Sequence, residues 1–67
     1  MKVVLYTTHC PQCVVLENML KNNNVEYETV TDVKVMRKKG FLSVPRLEVD
    51  GKFMNMKESM EWLGENN

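Results

Sequence analysis

The chain has 67 residues, of which 43% are hydrophobic and 27% charged, and this composition is typical of one ordinary globular domain. Nine Lys and Arg balance nine Asp and Glu, so no net charge favours binding to nucleic acid or to an anionic membrane. No apolar run approaches the roughly 20 residues of a membrane span, and the first residues lack the long apolar stretch and small-residue cleavage site typical of a signal peptide. We therefore expect a single domain over residues 1–67 in the cytoplasm.

The first half of the chain predicts a strand, a helix and a second strand. The apolar run within Lys2–Tyr6 is typical of a central strand covered on both faces. Pro11 suits the first turn of a helix, and the apolar stripe behind it extends that helix over Pro11–Asn22, where an asparagine run tolerates a left-handed cap. The β-branched and aromatic residues of Val25–Val30 predict the second strand.

A short basic helix is predicted next. Thr31 or Asp32 can cap it, and it runs through Lys39 to an end at Gly40. The Phe41-Leu42 pair is expected to pack just beyond that end. The basic residues are Lys34, Arg37, Lys38 and Lys39. Because no aromatic residues interleave them, we interpret them as a solvated face that can steer an acidic partner, and not as a nucleic-acid site.

The last third of the chain predicts a hairpin and a helix. Arg46–Val49 and Lys52–Met54 are joined by Asp50-Gly51, and both central positions of a type I′ turn need positive φ. Apolar residues at helical spacing from Met56 predict a terminal helix that stops at Gly64. The predicted fold is therefore an α/β domain of order β-α-β-α-β-β-α, with a four-stranded mixed sheet flanked by helices.

The chemistry of the chain is concentrated at Cys10-Pro11-Gln12-Cys13, which contains both cysteines. The spacing places the two sulfurs on one face of the first helical turn. At the cap, the free N–H groups and the helix dipole favour an anion, so we expect Cys10 to have a lowered thiol pKa. Cys13 lies one turn inside the helix, and we expect it to be more buried and less acidic.

This asymmetry indicates thiol–disulfide exchange, in which Cys10 attacks a partner disulfide and Cys13 resolves the mixed disulfide. A non-catalytic module that holds a metal or a partner through its thiols is the alternative from another class. Structural zinc usually needs four ligands, and His9 adjoins Cys10 too closely for an easy third one, so we predict no metal site. An iron–sulfur cluster would need further thiolates from elsewhere. His9 is either an exposed loop residue or a stabiliser of the thiolate.

The chain resembles the glutaredoxins and small glutaredoxin-like redoxins of the thioredoxin superfamily. The matching stretches are Val3–Cys13, Gly40–Pro45 and Val49–Lys52. The resemblance implies a thioredoxin-like fold, a nucleophilic Cys10, a resolving Cys13 and a cis proline in the Ser43-Val44-Pro45 element. It also implies that the backbone of Val44 pairs with a bound peptide. Residues expected to contact the substrate or partner are Thr8, His9, Pro11, Gln12, Ser43, Val44 and Pro45.

The same resemblance leaves two reductants open. Many members that use glutathione carry a lysine where this chain has Thr7, and a Gly-Gly pair with an acidic residue where it has Asn55–Glu58. Gln12 also occurs in small redoxins that donate electrons to ribonucleotide reductase and are reset by thioredoxin reductase with NADPH. We therefore expect a monomeric carrier with no bound cofactor that reduces protein disulfides, and a glutathione-dependent glutaredoxin is the alternative. Arg46 is either an exposed strand residue or a selectivity contact for the incoming disulfide.

Overall fold

The computed structural model describes residues 2–65 and has the predicted order of elements. The strands are β1 (Val3–Tyr6), β2 (Glu28–Val30), β3 (Arg46–Val49) and β4 (Lys52–Met54). The helices are α1 (Pro11–Asn22), α2 (Val33–Lys38) and α3 (Met56–Glu65). Within residues 2–65, none of the helices combines the length and the apolar character needed to cross a bilayer.

The predicted four-stranded mixed sheet is confirmed, with the strand order β2-β1-β3-β4. The central strand β1 runs parallel to β2 and antiparallel to β3, and β4 completes a hairpin with β3. The register pairs Tyr6 with Arg46. The end of β1 therefore lies beside the start of β3, and this brings the loop before α1 next to the loop that contains Pro45.

The core lies on both faces of the sheet, as the continuous apolar run of β1 predicts. One face packs against α1 and α3 and contains five leucines with no more than 2% exposure. They are Leu5, Leu16, Leu20, Leu47 and Leu63. The other face has a smaller cluster of Val4, Tyr6 and Met36, with Phe41 and Val44 packed against it. The second face is covered mainly by α2, which has only six residues.

The strand β2 is shorter than the predicted strand Val25–Val30, because the N–H of Val25 takes part in the end of α1. Asn24 adopts the left-handed conformation with φ 57°, and its N–H donates to the carbonyl of Lys21 over 3.1 Å. The N–H of Val25 donates to the carbonyl of Leu20 over 3.0 Å. These two bonds form the hydrogen-bonded ending of a helix, so the N–H of Val25 is used there, and pairing with β1 begins only at Glu28. The asparagine run thus ends α1 as predicted.

The residues that begin and end α2 are those that the sequence predicts, but one apolar residue beyond the helix does not pack as predicted. Asp32 is the cap, since its Oδ1 accepts from the N–H of Lys34 over 2.9 Å, and Gly40 ends the helix with φ 79°. Phe41 packs edge-on against Tyr6, with ring centroids 5.0 Å apart. The prediction that Leu42 packs there is wrong, because it is 98% exposed. Once Phe41 points inward from a non-helical segment, its neighbour points outward.

The hairpin is confirmed, and the stop of α3 is not. Asp50 and Gly51 have φ of 50° and 88°, as a type I′ turn requires. Gly64 lies inside α3, outside the left-handed region, where a glycine costs only about 1 kcal/mol relative to alanine. Asn55 caps the start of α3: its Oδ1 accepts from the N–H of Glu58 over 2.8 Å, while the Glu58 carboxylate accepts from the N–H of Asn55 over 3.2 Å.

Candidate active site at the start of the first helix

Cys10 occupies the cap of α1, as predicted. Its backbone is extended, with φ −65° and ψ 165°, and Pro11 lies in the first turn of the helix. The Cys10 Sγ accepts a hydrogen bond from the backbone N–H of Cys13 over 3.1 Å. A sulfur that accepts a helix-terminal N–H at the positive end of the helix dipole is held where a thiolate is stabilised.

The two cysteines differ in their access to solvent. Cys10 is partly exposed, and Cys13 has no exposed surface. A disulfide of another molecule can therefore meet the sulfur of Cys10 and not that of Cys13. The predicted difference in burial is confirmed, and both thiols are free in the structure.

Hydrogen bonds also converge on the buried sulfur. Burial raises the pKa of the Cys13 thiol, but hydrogen bonds from Cys10, from the Thr7 hydroxyl and from the backbone at Thr8 and Cys10 outweigh it, so the pKa lies below its ordinary value. Sequence reasoning included the burial and missed these donors. The order of acidity of the two thiols stays a prediction, but Cys13 is itself disposed to form a thiolate.

The loop between β1 and α1 is organised by Thr7, which the sequence reasoning did not assign to the site. Thr7 is 2% exposed, and its Oγ1 accepts from the N–H of His9 over 2.9 Å. This bond holds His9 in the left-handed region at φ 61°, an uncommon conformation for a residue other than glycine. The side chains of Thr8 and His9 are exposed. The available signal in the sequence was a hydroxyl residue directly after the apolar run of β1, three residues before Cys10.

The second loop of the site contains Ser43, Val44 and Pro45. The Val44–Pro45 peptide bond is cis, as the resemblance implied, and Pro45 is buried. Arg46 holds this loop, since its Nε donates to the Ser43 carbonyl and its guanidinium NH₂ donates to the Ser43 Oγ, both over 3.2 Å. The same guanidinium lies 6.0 Å from the centroid of the Phe41 ring. Arg46 is therefore half-buried and bound to the loop, and is not a free strand residue.

An open groove, here called the α2 groove, separates the second loop from α2. It is lined by Thr8, Ser43 and Val44 from the two loops and by Val33, Met36 and Arg37 from α2. The segment Phe41-Leu42 completes the lining. Three of the predicted contact residues therefore share one surface. Pro11 and Gln12 are exposed on the first turn of α1 and lie outside the lining of this groove.

The described residues do not assemble a metal site of their own. Over residues 2–65, no group of three or more His, Cys, Asp or Glu side chains is close enough to share a metal ion. Zinc held by four ligands of this chain therefore has no counterpart among the residues described.

Comparisons with known proteins support this fold. The model of the thioredoxin domain family matches residues 1–56. The thioredoxin-like protein BC3987 has a solved structure that is similar to this chain, with a TM-score of 0.74, 31% sequence identity, and coverage of 98% of this chain and 100% of the other. A threonine-to-alanine mutant of that protein matches with a TM-score of 0.75, 28% identity, and coverage of 98% and 97%. The search of curated proteins found no match.

A four-stranded mixed sheet with a Cys-x-x-Cys pair on its first helix defines a small redoxin fold of the thioredoxin superfamily. The family match covers most of the chain, so the chain belongs to the thioredoxin domain family. The predicted thioredoxin-like fold and the resemblance to small redoxins of this superfamily are confirmed. Membership of the glutaredoxins in particular stays a prediction.

Proposed function

We propose that this protein is a dithiol–disulfide oxidoreductase that reduces disulfides of other proteins through Cys10 and Cys13. The observation that carries the proposal is the unequal placement of two free thiols within one helical turn. One sulfur is partly exposed at a helix start, and the other is fully buried behind it. A pair with one accessible and one inaccessible sulfur suits sequential attack and resolution.

The reaction has two steps. The Cys10 thiolate attacks one sulfur of the substrate disulfide, a new S–S bond joins Cys10 to the substrate, and the other substrate sulfur leaves as a thiolate. The Cys13 thiolate then attacks the Cys10 Sγ, the mixed disulfide breaks, and the substrate leaves with its second thiolate. Two electrons have moved to the substrate, and Cys10 and Cys13 are joined by a disulfide.

The hydrogen bonds of the site support this order of events. The N–H of Cys13 faces the Cys10 Sγ and stabilises its charge before attack. Once Cys10 is bound in the mixed disulfide it has no S–H to donate, but the Thr7 hydroxyl and the backbone at Thr8 and Cys10 still interact with the Cys13 sulfur and favour its thiolate in the second step. Its burial keeps it from competing for outside disulfides.

A reductant must return the pair to the dithiol, and we propose thioredoxin reductase with NADPH for this role. Lysine is absent at position 7, and a glycine pair is absent from 55–58, so two features of glutathione-using relatives are missing. We place the reaction in the cytosol, where reducing conditions favour the dithiol. A protein such as ribonucleotide reductase, which needs electrons delivered through a disulfide, is the proposed class of acceptor.

The reductant assay tests this function. Reduced protein is mixed with an insoluble or chromogenic disulfide, and turnover is followed with either thioredoxin reductase and NADPH or glutathione and its reductase. We expect catalytic turnover in the first system and none with Cys10→Ser. Turnover with glutathione alone would replace the proposed reductant. The absence of turnover in both systems, with metal retained on purification, would favour the binding module instead.

A further inference from the structure

The basic side chains of α2 are arranged beside the α2 groove in a definite order. On a helix, Val33, Met36 and Arg37 share one face at three- and four-residue spacing, and all three line the groove. Lys34 and Lys38 follow Arg37 around the helix on its solvent side. Lys39 points elsewhere, because its Nζ lies 5.7 Å from the Tyr6 ring centroid and 5.4 Å from that of Phe53. The basic strip, defined as Lys34, Arg37 and Lys38, therefore borders the groove.

The lining of the groove contains no carboxylate that could neutralise this strip. The nearest acidic residue in sequence is Asp32, and its Oδ1 accepts the N–H of Lys34 as the helix cap. Arg46 adds a further positive charge behind the second loop, where it is bound to Ser43. The chain as a whole is neutral, so this concentration of positive charge is a local property of the face near the cysteines.

The same face exposes apolar surface. Leu42 is 98% exposed and Val33 is 46% exposed, and both line the groove with Met36 and Phe41. A wholly exposed leucine next to the loop of the active site has no role in the core of this domain. Apolar surface bordered by charge is typical of a protein-binding site.

Resting on the proposed disulfide exchange at Cys10, we propose that the α2 groove and the basic strip dock an acidic segment of the protein substrate. An aliphatic side chain of that segment packs on Leu42 and Val33, and its carboxylates meet Arg37, Lys34 and Lys38. The lining extends from Arg37 to Thr8, two residues before Cys10, so one end of the docked segment lies on the loop that leads to the reacting cysteine. Charge complementarity raises the encounter rate, while the apolar contact holds the segment in place.

The chemistry of the face favours a polypeptide over a small thiol such as glutathione. The basic strip extends along the solvent side of α2. The apolar residues that line the groove lie on the opposite side of Arg37. An occupant that uses both surfaces needs an apolar side chain and several carboxylates held on one backbone. Glutathione has two carboxylates and no aliphatic side chain.

The test measures the first step of exchange with defined peptides. Each peptide carries one cysteine as its mixed disulfide with thionitrobenzoate, and attack by Cys10 on the peptide sulfur releases the coloured thiolate. The peptides are an acidic one with leucine, the same peptide with lysines in place of the acids, and the acidic peptide with serine in place of leucine. The variants are Arg37→Glu, Lys34→Glu and Leu42→Ser, with Lys52→Glu as the matched charge reversal at the hairpin end of the sheet.

We expect wild-type protein to react at least about tenfold faster with the acidic leucine peptide than with the lysine peptide at low salt, and this ratio should fall as salt is added. Arg37→Glu and Lys34→Glu should lower the ratio several-fold, and Lys52→Glu should leave it unchanged. Leu42→Ser should remove the preference for leucine over serine. Equal rates with all three peptides, or a loss with Lys52→Glu as large as that with Arg37→Glu, would overturn the docking proposal.

A neutral small disulfide separates this proposal from the function on which it rests. If wild-type protein reduces hydroxyethyl disulfide through Cys10 but shows no preference among the peptides, only the docking proposal fails. If it reduces neither the small disulfide nor any peptide, the disulfide exchange and the docking proposal both fail.

Discussion

At the scale of single residues, the site depends on which hydrogen bonds reach each sulfur. The Cys10 Sγ receives the N–H of Cys13, and the Cys13 sulfur interacts with the hydroxyl of Thr7. A hydroxyl has one proton to donate, and Thr7 Oγ1 already accepts from the N–H of His9, so its own proton is free to point toward the sulfur. Thr7 thus links the conformation of the loop to the charge on Cys13.

Replacing Thr7 by valine should weaken the resolving step. A lost hydrogen bond of about 1 kcal/mol raises the pKa of Cys13 and lowers its thiolate fraction by about fivefold at pH values below that pKa. The higher nucleophilicity of a more basic thiolate offsets part of this, so resolution should slow by about two- to threefold. The measurement is the release of peptide from a preformed Cys10 mixed disulfide as a function of pH.

Thr7→Ser is the control for this change, since it keeps the hydroxyl. Its pH profile should follow that of the wild type, whereas the profile of Thr7→Val should move to higher pH. A valine variant with an unmoved profile would show that the hydroxyl does not act on Cys13. A serine variant displaced as far as the valine variant would assign the effect to packing.

The lowered pKa of Cys13 should also appear in the stability of the reduced protein. A group whose pKa is lower in the folded state stabilises that state fully above its unfolded pKa, which is about 8.5 for cysteine, and loses this contribution as pH falls through the folded value. The free energy of unfolding of the reduced wild type, compared with that of Cys13→Ala, should therefore rise with pH up to about 8.5. Chemical denaturation at a series of pH values measures this, and a difference that stays constant or falls would contradict it.

Sequence reasoning found the two cysteines because the chemistry depends on local features, a strand end followed by a proline and a helix. It did not find Thr7, because its role depends on burial and on the direction of one N–H group. It also placed Leu42 inside, although hydrophobic character alone does not decide which of two neighbouring apolar residues faces the core.

At the scale of the elements, two glycines of similar appearance in sequence have opposite roles. Gly40 ends α2 with φ 79°, and Gly64 lies within α3 outside the left-handed region. Within residues 2–65, and leaving aside the chain neighbours and the helix's own backbone, no heavy atom lies within 4 Å of the position that a Cβ would take at either glycine. The effect of an alanine at each position therefore reports backbone conformation and not a steric clash.

Gly40→Ala should destabilise the protein by about 1 kcal/mol, because a side chain disfavours the left-handed conformation. Gly64→Ala should stabilise it by up to about 1 kcal/mol, because alanine is the better helix former. Thermal or chemical denaturation of the two variants measures these opposite shifts. Shifts of the same sign would mean that at least one of the two backbone conformations differs from the one described.

The ends of α1 and α2 were predictable at this scale, since Asn24, Asp32 and Gly40 act through their own conformational preferences, whereas the predicted stop of α3 at Gly64 was wrong. The start of β2 was less predictable. Valine is a residue type typical of strands, but the N–H of Val25 completes the end of α1. Competition between two local structures for one N–H group cannot be decided from residue type alone.

At the scale of the whole molecule, the sheet assembles the site from segments far apart in sequence. The pairing of Tyr6 with Arg46 places the loop of Cys10 beside the loop of Pro45, although 29 residues lie between Cys13 and Ser43. The mixed four-stranded sheet could be predicted from the βαβ unit and the hairpin, although the strand order β2-β1-β3-β4 was not predicted. The α2 groove could not, because its form depends on how a six-residue helix lies over the second face.

Substitution of one buried and one exposed leucine tests which residues form the core and which belong to the exposed face. Leu16 has no exposed surface, and Leu42 is 98% exposed. Leu16→Ala should cost about 2–5 kcal/mol, a large part of the roughly 3–10 kcal/mol expected for a domain of this size. Leu42→Ala should change stability by less than about 0.5 kcal/mol. Denaturation curves of both variants check this, and a large loss for Leu42→Ala would show that this side chain is packed.

The most direct test of the central claim is to trap the mixed disulfide on a single cysteine. Cys13→Ser and Cys10→Ser are each mixed with a peptide disulfide, and the adducts are identified by mass spectrometry. We predict that Cys13→Ser accumulates a stable adduct at Cys10. Cys10→Ser should form its adduct much more slowly, because its remaining thiol is buried. An adduct on Cys13 that forms as fast as the one on Cys10, or no adduct on either variant, would contradict the assignment of attack to Cys10.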